Sequence, residues 1–86
     1  MCLSAGCSQP LHEAECLDLL DKYVELIIQS DSPTAPPSET LKLKQEARAK
    51  AARDPAFAEC KARVSRAQFQ CAMHASNPDG LEQCLL

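Results

Sequence analysis

Between residues 16 and 28 the apolar positions return every three or four residues. Cys16, Leu20, Tyr23 or Val24, and Ile27 share a stripe that Leu17 and Ile28 widen, while Asp18, Asp21, Lys22 and Glu25 take the other side. This period is that of an amphipathic helix. Its start is predicted near Pro10, because a first helical turn has no use for the N–H that proline lacks. Glu13 and Glu15 then lie near the positive end of the helix dipole, and the pattern stops near Gln29 or Ser30.

The next stretch, residues 30–38, reads Ser-Asp-Ser-Pro-Thr-Ala-Pro-Pro-Ser. Its prolines remove backbone donors and its polar side chains offer nothing to bury, so it is predicted to be a linker. Ser38 is the expected N-cap of a second helix, with Glu39 in its first turn. This helix is predicted to run to about Arg53, with Leu41, Leu43, Ala47, Ala49, Ala51 and Ala52 set among Lys and Arg. Alanine gives it strong intrinsic propensity but a thin apolar face. It is therefore expected to approach a neighbour closely, bury little and be the most mobile helix.

Asp54-Pro55 reads as a stop and a restart, with Asp54 as cap and Pro55 at the first helical position. Phe57, Cys60 and Val64 form the predicted stripe of a third helix. Ser65-Arg66-Ala67-Gln68 has the form of a capping box and opens a fourth helix bearing Phe69, Cys71, Ala72 and Met73. Ser76-Asn77-Pro78 breaks the chain again, and Pro78 opens a last short helix with Leu81, Cys84 and Leu85. Residues 1–8 show no periodicity and are expected to be a disordered stub. The sequence thus predicts one all-α domain over residues 9–86, a bundle of four to five helices. One long N-terminal helix packs on a cluster of short C-terminal helices, and the second helix braces or swings.

Composition agrees. Eighty-six residues allow a single domain. Aromatic content is only 3%, from Tyr23, Phe57 and Phe69, so the core must come from Leu, Ile, Val and Ala. Strands favour aromatic and β-branched residues, and packed helices do not need them. Asp79-Gly80 is the sole hairpin-type dipeptide, and it lacks a flanking strand pattern.

The net charge of −3 is too small to imply a dominant electrostatic partner. Its distribution is uneven. Residues 12–31 carry six acids against Lys22, and residues 42–66 carry eight bases against three acids. The ordinary expectation is that the two blocks face water or attract each other within the fold. The sharper alternative is a basic groove for an anionic partner. Nucleic-acid binding by residues 42–53 is not expected, since interleaved aromatics are missing and the domain is acidic. Apolar runs are far short of the roughly 20 residues that a membrane span needs, and the basic and hydrophobic regions of a signal peptide are missing. Residues 3–7, Leu-Ser-Ala-Gly-Cys, nevertheless resemble a bacterial lipobox. Cys7 is then a candidate lipid-attachment residue in a truncated precursor, and Cys2 a remnant of its leader.

Six cysteines in so short a chain speak first about stability and compartment. A small core is commonly supplemented by cross-links, and in an oxidising compartment Cys16, Cys60, Cys71 and Cys84 are expected to form two disulfides. Four cysteines allow three pairings. Joining Cys16 to Cys71 and Cys60 to Cys84 is favoured because it ties the first helix to the C-terminal cluster. The first of these bonds closes a loop of about 55 residues, worth about 4 kcal/mol in the chain-entropy account. Bonds from Cys71 to Cys60 or to Cys84 also fit a helix–turn–helix. A rarer arrangement is a zinc site. His12 and Cys16 stand four apart, Cys71 and His74 three apart, and each pair shares a helix face. Catalysis finds no foothold: there is no C-x-x-C motif and no glycine-rich phosphate loop, and the acids of the first helix are spaced as a solvated face.

Phe57-Ala-Glu-Cys60, Val64-Ser65-Arg66-Ala-Gln68-Phe69-Gln-Cys71-Ala72-Met73, Ala75-Ser76 and Leu81-Glu82-Gln-Cys84 resemble the end of small cysteine-containing helical lipoproteins of myxobacteria and related bacteria. The Cys16 helix fits the same pattern, so the resemblance spans roughly residues 13–86. It implies an all-helical domain exported to the cell envelope with its four core cysteines paired, and it brings no active site. The functional expectation is a non-catalytic cell-envelope or secreted module, acting through protein–protein interaction or structure, that is periplasmic, outer-membrane-anchored or extracellular. No cofactor and no nucleic acid are expected, and membrane association only through a lipid anchor. The alternative is a metal- or thiol-handling protein using His12, Cys16, Cys71 and His74.

Overall fold

A computed structural model of the protein describes residues 10–86, and among these residues it holds helices and no strand. The elements are α1 (Glu13–Asp31), α2 (Pro37–Ala51), α3 (Pro55–Ala58), α4 (Cys60–Arg63), α5 (Arg66–Met73) and α6 (Pro78–Cys84). The lipobox-like segment with Cys2 and Cys7 lies outside the described residues.

The first helix begins later than Pro10. His12 takes the N-cap position with extended backbone, and its N–H donates to Glu15 Oε1 at 2.9 Å. Leu11, just ahead of the cap, is buried in the same apolar cluster as Cys16. Buried Leu11 before the cap and half-buried Cys16 four positions into the helix fix the entry of the chain. That pairing overrides the permissive signal of Pro10.

Two apolar faces of α1 are used, where the spacing predicted one stripe. Leu19 and Leu26, with Cys16 and Tyr23, face the C-terminal helices and join Leu11, Cys60, Val64, Ala72 and Leu81. Leu20, Val24 and Ile28, at intervals of four, form a second cluster with Ala51, against which Leu43 and Ala47 pack. Leu19 and Leu26, outside the predicted stripe, are 0% and 5% exposed, whereas Leu17, assigned to it, is 46% exposed. The long helix thus runs between α2 on one side and the short helices on the other.

At α2 the cap prediction fails. Pro36 is the N-cap and Pro37 the first helical residue, and the Thr40 N–H donates to the Pro36 carbonyl at 2.8 Å. The fixed φ of Pro37 starts the helix one residue before Ser38 could act as a cap. As its composition implies, α2 fully buries only Ala51.

The predicted third helix is two short ones. Asp54 caps α3 by accepting from the Ala56 N–H at 2.9 Å, and the chain then bends at Glu59 (φ −114°, ψ 29°) before α4. The bend lets Phe57 lie against Tyr23, with ring centroids 5.0 Å apart, while Cys60 is 2% exposed and bonded to α1. The Ser65 capping box follows prediction, and Asn77, expected only as part of a chain break, proves to be a cap as well. Gln68 N–H donates to Ser65 Oγ at 3.1 Å and Ser65 N–H to Gln68 Oε1 at 2.9 Å. Asn77 accepts from the Gly80 N–H at 2.6 Å.

Disulfide pairing differs from the favoured prediction. Cys16 is bonded to Cys60, with Cα atoms 5.9 Å apart, and Cys71 to Cys84, with Cα atoms 5.7 Å apart. The first bond still ties α1 to the C-terminal part, but through α4. The second closes the α5–α6 turn, the local alternative left open by the sequence. The short connection between α5 and α6 brings Cys84 back to Cys71.

The opposite charge blocks meet. Arg48 on α2 pairs with Asp21, Lys61 on α4 stands 4.0 Å from Glu13, and Arg66 on α5 grips both oxygens of Glu15 at 2.8 and 3.0 Å. Arg48, Lys61 and Arg66 thus help to dock α2, α4 and α5 on α1, while Arg63 pairs with Glu59 instead.

Candidate functional site

An open groove of about 730 Å³ lies where the C-terminal half of α1, the inner side of α2 and the start of α6 come together. Its floor is apolar: Tyr23, Ile27, Ile28, Leu43, Ala47 and Ala51. Ile28 and Ala51 are buried, and the other four are half-buried. The alanines make the floor concave, because the thin face of α2 leaves space above it. The rim is charged. Asp31, Glu46, Asp54, Asp79 and Glu82 stand around the opening and are exposed, against Lys50 as the one base.

These rim carboxylates differ from those at the other end of α1. There, the Arg66 guanidinium, helped by the His12 N–H, lowers the Glu15 carboxyl to about 2. Among the described residues none of the five rim acids belongs to an ion pair. Asp54 caps α3, and Glu82 accepts from the Tyr23 hydroxyl. Burial and the neighbouring Glu82 carboxylate raise the Tyr23 pKa, so this phenol stays a neutral donor throughout the physiological range. Its hydrogen bond ties α6 to α1 along one wall.

The ordinary expectation, that the two charge blocks attract each other, holds at three ion pairs, and the larger groove has an acidic rim where the alternative reading had a basic one. A smaller groove of about 390 Å³ between α1 and α2 has mixed charge, with Asp21 and Glu25 facing Lys44 and Arg48. The acidic groove is built from residues scattered between 23 and 82, each unremarkable in its own segment. A clue in the chain was the surplus of acid left once the two charge blocks cancel.

The residues of the candidate zinc site are not joined as a set. Cys16 and Cys71 each spend their sulfur on a different disulfide partner. His12 is exposed at the N-cap of α1, and His74, exposed at the end of α5, donates from Nδ1 to the Gln70 carbonyl at 2.8 Å. No group of three or more metal-ligating side chains converges among the described residues. Of the disulfide cysteines, Cys60 is buried, Cys16 and Cys84 are half-buried, and Cys71 is exposed. Disulfides in a domain of this size point to an oxidising, non-cytoplasmic compartment. No helix among the described residues is long and apolar enough to cross a membrane.

No protein-family model, curated protein or solved structure matches the chain. The functional reading accordingly rests on the groove and the disulfides.

Proposed function

We propose that this protein is a non-catalytic helical module of the cell envelope or extracellular space that works by holding a partner protein in the acid-rimmed groove. The carrying observation is an apolar floor left open between α1 and α2 beneath carboxylates that form no ion pair among the described residues. Apolar surface flanked by polar groups is the common form of a binding patch. The two disulfides support an oxidising location, and the lipobox-like residues 3–7 support attachment through Cys7 to a bacterial outer membrane. The resemblance to small helical lipoproteins agrees with both.

A photo-crosslinking residue at position 47, on the groove floor, tests this reading in cells of the source organism. The control position is Ala62, which is exposed on α4 outside the groove. Discrete protein adducts from position 47 and none from position 62 are expected. No adduct from position 47 in repeated trials, or the same adducts from both, would refute it.

A further inference from the structure

We propose that the groove takes a basic amphipathic helix of the partner polypeptide. This identification rests on the reading of the groove as a protein-binding site and adds the chemistry of what fills it.

Charge is the first argument. Five carboxylates and one ammonium rim the groove, while the whole chain carries only −3. All of the surplus negative charge is thus held at this opening, and the remainder of the surface is close to neutral. Such a rim draws cationic groups and repels anionic ones.

The floor is the second argument. Small inorganic cations and polyamines have no use for Ile27, Ile28, Leu43 and Ala47. The occupant must therefore be apolar on one side and cationic on its flanks.

Backbone chemistry selects a helix. The walls are drawn mainly from helices, and no strand among the described residues offers an edge. An extended peptide would enter with its backbone polar groups unmatched. A helix satisfies its own backbone and presents apolar side chains at i, i+3, i+4 and i+7, the helix-in-groove mode of recognition. With α1 and α2 as two members and Ala47 and Ala51 permitting close approach, the partner helix becomes the third member of a small bundle.

The test uses the full oxidised chain, isotope-labelled, titrated with four probes. These are a Leu/Lys amphipathic helical peptide, a scrambled peptide of the same composition, the mirror peptide with Glu for Lys, and spermine. The expected result is binding of the first peptide alone, with resonance shifts at Ile27, Ile28, Leu43 and Ala47 that weaken with salt. The double variant Asp31→Lys/Glu46→Lys alters two exposed rim positions. It should weaken that peptide about ten-fold and gain binding of the Glu mirror peptide, with its helical circular dichroism unchanged. Equal binding of the scrambled peptide or spermine, shifts elsewhere, no binding, or self-association of the chain through the groove would each overturn the proposal. Crosslinks from position 47 without peptide binding would refute the basic helix and leave the interaction module standing. Loss of both would remove the module as well.

Discussion

Removing the two disulfides one at a time should have unequal effects, and the structure sets the order. Cys16 and Cys60 are 44 residues apart and Cys71 and Cys84 are 13 apart. The loop-entropy relation gives about 4 kcal/mol for the first and about 3 kcal/mol for the second. Packing widens the gap. Cys60 is 2% exposed and belongs to the main core cluster, so truncating it also removes buried contacts. Cys71 is exposed, and its loss removes little beyond the cross-link. At roughly 0.05–0.15 kcal/mol per residue, a domain of this length holds about 4–13 kcal/mol in all. Cys16→Ala/Cys60→Ala should therefore approach global unfolding, while Cys71→Ala/Cys84→Ala should remain folded with a lower midpoint. Urea denaturation followed by circular dichroism measures both. The m value should rise in each variant, because an uncross-linked unfolded chain exposes more surface. The same ordering applies to reduction. Mild reductant should open the bond at exposed Cys71 first, as read by mass after alkylation. A larger loss in the Cys71/Cys84 variant, or a loss below about 1 kcal/mol in the Cys16/Cys60 variant, would refute the assignment of the core bond.

Leu19→Ala, at a position with 0% exposure, should cost about 2–5 kcal/mol; Leu17→Ala, at 46% exposure, should stay within about 0.5 kcal/mol. Both are read from urea midpoints. Ser65→Ala removes an observed cap and should cost about 1 kcal/mol, whereas Ser38→Ala, behind the Pro36 cap, should be close to neutral in the same thermal melts. The Glu15 carboxyl is lowered from 4.5 to about 2. A depressed carboxylate contributes stability above its unfolded pKa and loses it as the pH falls through the folded one. The contribution should thus be full above about 4.5 and fade toward about 2; Glu15→Gln should flatten that part of the acid melt, and an unchanged profile would refute the Arg66 pairing.

Much of the fold was legible along the chain because its determinants are local. The Asp54 and Ser65 caps bind N–H groups two or three residues ahead, and Pro55 and Pro78 open helices by their fixed φ. The all-α class follows from spacing and composition. The mutual attraction of the charge blocks was also readable, because a surplus on each side needs no coordinates to find its opposite. Cap rules misled where a stronger local preference competed, as when Pro37 displaced Ser38 or buried Leu11 set the start of α1.

The amino-acid sequence by itself determined that this chain is helical, where α3, α5 and α6 begin, and that its four inner cysteines would be paired in an oxidising compartment. Tertiary structure alone decided which cysteine meets which, why the third helix breaks at Glu59, and that α1 buries Leu19 and Leu26 while leaving Leu17 exposed. It also decided the groove, whose floor and rim are drawn from α1, α2, the α2–α3 link and α6. The physical reason is range. A cap or a helical period is written within a few residues, but a disulfide, a buried face or a ring of carboxylates exists only when distant segments are brought within ångströms of each other.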